Sequence, residues 1–291
     1  MKNLSRRWSI LPHYLLPKRA ITRVAFWVAN ARGGRVTQGI IRRFIALYGV
    51  DMNEALESGT HAYNTFNAFF TRALKPAARP LAKADFVCPV DGAISQCGVI
   101  EGDQIIQAKG HSYSSLALLG GDAQMSALFE HGHFATLYLS PRDYHRVHMP
   151  CDAELRRMVY VPGSLFSVNP GTARAVPGLF ARNERVVCAF DSACGPFAMV
   201  LVGATIVGSM ATVWHGVVNP PKSRTPRSWN YAPGAVALKQ GQEMGRFLLG
   251  STVVLLFPRE TLQFNADWLA GKTLRMGEVM GHSHVFLANE I

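Results

Sequence analysis

Acidic residues are missing from the first fifty positions of this chain. Residues 1–50 hold ten basic side chains (Lys2, Arg6, Arg7, Lys18, Arg19, Arg23, Arg32, Arg35, Arg42 and Arg43) and neither Asp nor Glu. The rest of the chain balances 20 basic against 19 acidic groups, so the formal net charge of +11 is a local property. Cysteine is scarce as well. The five present (Cys88, Cys97, Cys151, Cys188 and Cys194) are scattered with no C-x-x-C pair. That spacing excludes a disulfide framework and a cysteine zinc site and fits a reducing compartment. A secretory leader is not expected: "WSILPHYLLP" is short, broken by prolines, and followed by Lys18-Arg19 where a small-residue cleavage site belongs. Ala193 to Pro221 lacks any charged residue, and its core "FAMVLVGATIVGSMATVW" has the length that raises a membrane-span alarm. Gly203, Thr205, Gly208, Ser209 and Thr212 interrupt it, which predicts two buried strands around a glycine turn and no spanning helix. The nucleophile-elbow pattern G-x-S-x-G is absent around Ser251, where the chain reads Leu249-Gly250-Ser251-Thr252-Val253.

What the basic segment does contain is bulky and apolar. "HYLLPKRAITRVAFWVAN" and "VTQGIIRRFIALYGV" set Trp, Phe, Leu, Ile and Tyr among the arginines. In the second, Ile40, Ile41, Phe44, Ile45 and Tyr48 fall near helical spacing, with Arg42 and Arg43 on another face. Basic helices with apolar faces suit the headgroup layer of an anionic membrane. Ordinary helices packed on the body and nucleic-acid binding are the competing readings; no nucleic-acid motif accompanies the charge. The expectation is a peripheral membrane contact and no nucleic acid.

Further along, "DMNEALES" predicts a short helix, and "NTFNAFFTRAL" predicts another with Thr65 as N-cap. Two prolines in "KPAARPL" mark a boundary near residues 75–82. Beyond it come short β-branched runs separated by Gly, Pro, Asn and Asp: "GAISQCGVI", "FATLYLS", "AELRRMVYVPG", "ERVVCAF", "AMVLVGATIVG", "ATVWHGVV" and "STVVLLF". The fold class expected is α+β, mainly β. Residues 1–75 form N-terminal amphipathic helices that dock on the membrane, and residues 76–291 form a β-rich catalytic body.

Three places concentrate reactive groups. Asp91 precedes Gly92 in "CPVDGAIS", which read alone is a turn signal. "YLSPRDYHRVHMP" supplies Asp143, His145 and His148; histidines three apart share a face if the segment is helical and take opposite faces if it is extended. Ser251 interrupts the apolar "GRFLLGSTVVLLF" beside Gly250, where glycine weakens a strand. Asp, His and Ser together permit an activated hydroxyl whatever their order in the chain. That leaves a membrane-associated serine hydrolase using Asp91, His148 and Ser251 as the alternative. The pairs His131/His133 and His282/His284 offer a competing metal reading, but nothing else supports their meeting, and no metal is expected.

These residues lie in blocks that match a known family. From "TFNAFFTRALKPAARP" through "PVDGAISQCG", "QAKGHSYS", "YLSPRDYHRVHMPC", "LFSVN", "LFARNERV" and "VGATIVGS" to "GQEMGRFLLGST", nearly the whole chain resembles the phosphatidylserine decarboxylases of the bacterial, membrane-associated, pyruvoyl-dependent kind. The resemblance implies self-cleavage between Gly250 and Ser251 into a large chain (1–250) and a small chain (251–291) that stay associated. Ser251 would become a covalent pyruvoyl cofactor that takes the amine of phosphatidylserine as a Schiff base and releases phosphatidylethanolamine. Asp91 matches the family's charge-relay aspartate and His148 its triad histidine. His145 matches the histidine of the decarboxylation step, and Ser167 and Asn169 lie near the lipid headgroup. Phosphatidylserine and the anionic surface, on the cytoplasmic face of the cell membrane, are the partners implied; association of copies of the chain is left open.

Overall fold

The structure is a computed structural model that describes residues 18–108, 110–205, 209–218, 225–248 and 251–283, without the side chains of residues 18–21, 23 and 251. Lys2, Arg6, Arg7, Gly250 and His284 therefore lie outside the described residues, as does the Ser251 side chain.

Two helices, Lys18–Asn30 and Arg35–Tyr48, open the described chain. The second ends where Gly49 takes a left-handed conformation and its N–H caps the Ile45 carbonyl. Thr65 does cap the short helix Phe66–Phe70, accepting from Ala68 N at 3.0 Å. The helix expected at 51–58 does not form. Ala55 instead bridges Leu74 in extended pairing, and Glu54 is recruited into ion pairs with Arg79 and Arg275. Tertiary partners there outweigh a weak local propensity.

Eighteen strands follow among the described residues. β1 is Phe86–Val87, β2 Gly92–Val99, β3 Gln104–Ala108, β4 His111–Ser114, β5 His133–Leu139 and β6 Arg146–His148. β7 is Ala153–Val161, β8 Arg185–Ser192, β9 Gly195–Val202, β10 Met210–Thr212, β11 Gly216–Val217 and β12 Arg227–Asn230. β13 is Ala237–Leu238, β14 Glu243–Phe247, β15 Ser251–Phe257, β16 Gln263–Phe264, β17 Thr273–Leu274 and β18 Val279–His282. The α+β, mainly β class is what the chain adopts.

The largest sheet has nine antiparallel strands in the order β12-β7-β8-β9-β15-β5-β2-β17, with β13 also on β7. β15 sits at its centre between β5 and β9, and Val253 to Phe257 are all fully buried. Alternate residues serve two cores. Val253, Leu255 and Phe257 join one with Phe197, Met210, Met244 and Phe247; Val254 and Leu256 join the other with Phe129, Phe180 and Val200. A strand buried on both faces reads as a continuous apolar run, which is why "TVVLLF" shows no alternation.

A second sheet, β11-β10-β14-β6, packs on the first of those cores. The uncharged run Ala193 to Pro221 supplies the two expected strands, β9 and β10, and the short β11 as well. β9 and β10 belong to different sheets, however, and form no hairpin. "GRFLLGSTVVLLF" divides likewise: β14 lies in the four-stranded sheet and β15 in the nine-stranded one.

Candidate active site

The same pair of sheets is crossed twice, side by side. β5 leads from the large sheet through residues 140–145 into β6 of the small one. β14 leads from the small sheet through residues 248–250 into β15 of the large one. β5 pairs with β15, so Ser251 stands opposite Leu139; β6 pairs with β14, and Phe247 N donates to His145 O at 3.0 Å. The histidine-bearing segment thus connects two strands that pair with β14 and β15, the strands on either side of the expected cleavage point. Asp91 enters from the other side, because β2 also pairs with β5 and Ala93 stands opposite Tyr138. Gly92 is obligatory there: a Cβ on it would lie 2.3 Å from the Tyr138 carbonyl oxygen. The "DG" pair opens a strand at a close backbone approach and is not a free turn.

His145 is fully buried, with Nδ1 2.8 Å from the Asp143 carbonyl oxygen and its ring 4.0 Å from that of Phe70. A carbonyl only accepts, so Nδ1 carries the hydrogen and Nε2 the lone pair. Nε2 is buried and has no hydrogen-bond partner among the described residues. Burial pushes the His145 pKa down to about 3, and the nearby Arg72 guanidinium adds to the fall. The imidazole is neutral at working pH.

His148 is held the same way. Nδ1 donates to Gly241 O at 2.8 Å, and Nε2 lies 3.0 Å from the Tyr144 hydroxyl. Burial lowers its pKa, while the Gly241 hydrogen bond and the charges of Glu243 and Asp91 work against that. The two histidines flank or belong to an extended strand, so they occupy separate environments, one against Phe70 and one against Tyr144.

Asp91 and His148 are not hydrogen bonded to each other. Asp91 is gripped by Arg79, whose Nε lies 2.9 and 3.1 Å from its two oxygens, and Met276 N donates to it at 2.9 Å. Arg79 also donates to Glu54 Oε2 at 2.7 Å. Burial alone would lower the Arg79 pKa, but its bonds to Asp91 and Glu54 outweigh that and hold it above the ordinary value. The Arg79 bond in turn holds Glu54 below its ordinary value. Asp91 therefore reaches His148 through its field. A second network clamps the crossing strands: Arg146 on β6 bonds Glu243 on β14 at 2.8 Å, and Arg246 bonds the same carboxylate at 2.7 Å.

Beside these groups lies a cavity of about 250 Å³, lined in part by Arg72, Arg79, Asp91, Arg142 and Tyr144. Arg72 is buried, and its Nε and Nη1 lack hydrogen-bond partners among the described residues. Ser167 and Asn169 serve their own loop. Asn169 Oδ1 caps the helix Pro170–Ala175 by accepting from Thr172 N at 2.8 Å, and Asn169 Nδ2 donates to Ser167 Oγ at 3.0 Å. No described hydrogen bond joins either residue to Asp91, His145 or His148. Among the described residues no group of three or more His, Cys, Asp or Glu could hold a metal ion. Sequence reasoning missed Arg79, Tyr144, Arg146 and Glu243. Tyr144 was available inside "DYHRVH", whereas Arg79 sits in a proline-rich linker with no local signal.

Buried, tautomer-fixed histidines and a clamped carboxylate on a β-rich body are the groups from which acid–base enzymes are built. A family model described as phosphatidylserine decarboxylase matches residues 66–282, and one described as PSD matches residues 8–49. The chain is similar to the phosphatidylserine decarboxylase proenzyme of Variovorax paradoxus (strain S110), 68% identical over 279 residues, covering 96% of this chain and 99% of that one. The proenzyme of the same name from Polaromonas naphthalenivorans (strain CJ2) is 66% identical over 280 residues, covering 95% and 97%. The chain belongs to the phosphatidylserine decarboxylase family.

Proposed function

We propose that the chain is a self-cleaving precursor that splits between Gly250 and Ser251 and then decarboxylates phosphatidylserine to phosphatidylethanolamine with a pyruvoyl group derived from Ser251. The carrying observation is that Leu139 stands opposite Ser251 in one sheet and His145 accepts from Phe247 N in the other, so the histidine-bearing segment starts and ends beside the strands that flank the cleavage point. The name proenzyme carried by these relatives supports a processed precursor.

In maturation His148 is the base for the Ser251 hydroxyl, which attacks the Gly250 carbonyl; Asp91 and Glu243 favour the protonated imidazole by their charge. The small chain 251–291 stays associated because β15 keeps its ladders to β5 and β9. Its five buried side chains from Val253 to Phe257 each contribute about 1.5–3 kcal/mol.

The residues present fit a pyruvoyl group at position 251, since His145, whose carbonyl accepts from Phe247 N four positions before Ser251, keeps a buried Nε2 that is unpartnered among the described residues. The pyruvoyl group supplies the electron-withdrawing ketone that carbon–carbon cleavage needs. His145 Nε2, an acceptor at rest, takes a proton that the substrate ammonium group sheds and returns it to the carbon that carbon dioxide leaves, and Phe70 covers its ring from the helical side.

The N-terminal helices carry the enzyme to the bilayer surface. Trp27 is 73% exposed, Leu47 70% and Val36 69%, beside exposed arginines. No described helix is long and apolar enough to cross a membrane. Ile41, Phe44 and Ile45 turn the other way and pack with Tyr63, Phe69 and Phe70. Deleting residues 1–50 would therefore disturb the aromatic support of His145, and substitution of the exposed residues is the cleaner test.

Denaturing mass spectrometry of freshly purified protein tests the cleavage: two fragments split before residue 251 are expected, the smaller blocked by pyruvoyl. A single intact chain with full decarboxylase activity refutes the proposal, and labelling of Ser251 by a fluorophosphonate would favour the hydrolase.

A further inference from the structure

We propose that Phe44, on the inward face of the helix Arg35–Tyr48, is a positioning residue for His145 and acts on it through the ring of Phe70. It rests on the reading of His145 as the proton carrier of decarboxylation. One hydrogen bond ties the His145 ring. Nδ1 donates to the Asp143 carbonyl oxygen at 2.8 Å, and Nε2 has no hydrogen-bond partner among the described residues. A bond at one corner fixes that atom and leaves the ring plane free to rock about it. A wall against the ring face removes that freedom. Phe70 supplies such a wall: it is 2% exposed, and its ring centroid lies 4.0 Å from that of His145 with the planes 40° apart.

Phe70 does not hold itself there. It ends a helix of five residues, Phe66–Phe70, where an isolated helix needs about 12–15 to be even marginally stable. Its orientation therefore comes from tertiary packing. Phe44 meets three rings of that short helix edge to face: Phe66 at 5.1 Å, Phe69 at 5.9 Å and Phe70 at 6.1 Å. Phe66 in turn stacks on Phe70 at 6.0 Å. Ile41 and Ile45 flank Phe44 in the same cluster, so the contact is part of a packed helix face.

The chain after the short helix is tied to the histidine segment at two points. Arg146 Nε donates to Thr71 O at 2.9 Å, and Arg72 Nη2 donates to Arg142 O at 3.1 Å. These bonds join the two backbones; they do not set the angle of the Phe70 ring. Phe44 bears on that ring from a separate element. His148 answers to Gly241 and Tyr144 instead, so Phe44 should govern decarboxylation and leave chain splitting alone. The outer face of the same helix exposes Val36, Ile40 and Leu47, and losses there belong to membrane docking.

The ring contact also keeps His145 dry. The charged group facing His145 is Arg72, and Asp143 presents its backbone carbonyl; burial pushes the imidazole pKa down to about 3. Loosening Phe70 admits water, which favours the imidazolium and raises that value.

Decarboxylation of monomeric short-chain phosphatidylserine by fully split enzyme, followed across pH, tests this. Phe44→Leu keeps apolar volume and loses the ring edge. Its kcat is expected to fall by up to about 10²-fold, with the acid limb moved to higher pH and splitting at the wild-type rate. Phe44→Tyr keeps the ring and should restore both. Phe70→Leu should reproduce the defect, and the double variant should lose no more than the worse single one; losses that multiply overturn the relay. A loss with an unmoved acid limb overturns it too, since that reports a smaller active fraction. So does a loss confined to vesicle substrate, which reports docking. If Phe44→Leu fails to melt cooperatively, Phe44→Met carries the same expectations and decides. Full decarboxylation by His145→Asn removes the reading of His145 and this one with it. Full decarboxylation by Phe44→Leu while His145→Asn is inactive overturns this one alone.

Discussion

Replacing Arg79 by Met should be the most damaging single change outside the histidines. In a Ser251→Ala background every variant stays one chain, so stability can be compared directly. Arg79 and Asp91 are nearly dry, with side chains 6% and 9% exposed. The guanidinium supplies bonds to both Asp91 oxygens, a bond to Glu54, and one to the Ala78 carbonyl at 2.7 Å. Methionine fills much of the volume and makes none of them. Asp91 would keep Met276 N as its donor, which does not balance a full charge. Removing one partner of a buried pair costs about 3–5 kcal/mol, because the other charge stays behind without compensation. At about 2–4 °C per kcal/mol for a chain of this order, the melting temperature should fall by roughly 10 °C. Adding Asp91→Asn removes the stranded charge, so the double variant should recover more than half the loss in chemical denaturation. A cost for Arg79→Met below about 1 kcal/mol, or a double variant no better than the single, would refute the claim that this pair holds Asp91 in place.

Four further outcomes follow from the same geometry. Substituting His145 by Asn should leave chain splitting intact and reduce decarboxylation about 10²–10⁴-fold, read by phosphatidylethanolamine release; equal loss of both reactions would show that the histidines share one role. The same variant in the Ser251→Ala background checks the electrostatics: His145 titrates near 6.5 when unfolded and about 3 when folded, so its contribution is present above 6.5 and lost as pH falls toward 3. Stability should fall by up to about 1.4 kcal/mol per pH unit across that window, and the slope should flatten in the Asn variant. Gly92→Ala should cost about 1–3 kcal/mol in urea titration, since the new Cβ meets a strand carbonyl at 2.3 Å. Trp27→Glu with Leu47→Glu should abolish sedimentation with phosphatidylserine vesicles at low salt and leave the melting curve unchanged; undiminished binding would move the docking surface elsewhere.

Much of this was legible in advance because it is local. The β-branched runs are strands, the Thr65 cap is used, and the absence of acid from residues 1–50 marks two helices with exposed apolar faces. "DMNEALES" misled because its helical propensity is worth little against the ion pairs Glu54 makes with Arg79 and Arg275. Asp91, His145, His148 and Ser251 could be nominated from residue type and motif, but not their partners. Asp91 finds Arg79 only twelve positions away, yet nothing in "KPAARPL" announces it.

The sequence alone determined the short β-branched strands, the apolar run through "STVVLLF" and the placing of charge at one end, since hydrophobic pattern and charge are properties of neighbouring residues. Tertiary structure decided that "GRFLLGSTVVLLF" breaks into strands of two sheets, paired with the two strands that residues 140–145 connect. It also decided that His148 answers to Tyr144 and Gly241 while Asp91 answers to Arg79. The Gly241 contact crosses a long stretch of chain, and even the nearer partners, Tyr144 and Arg79, are chosen by burial and register and not by local spacing.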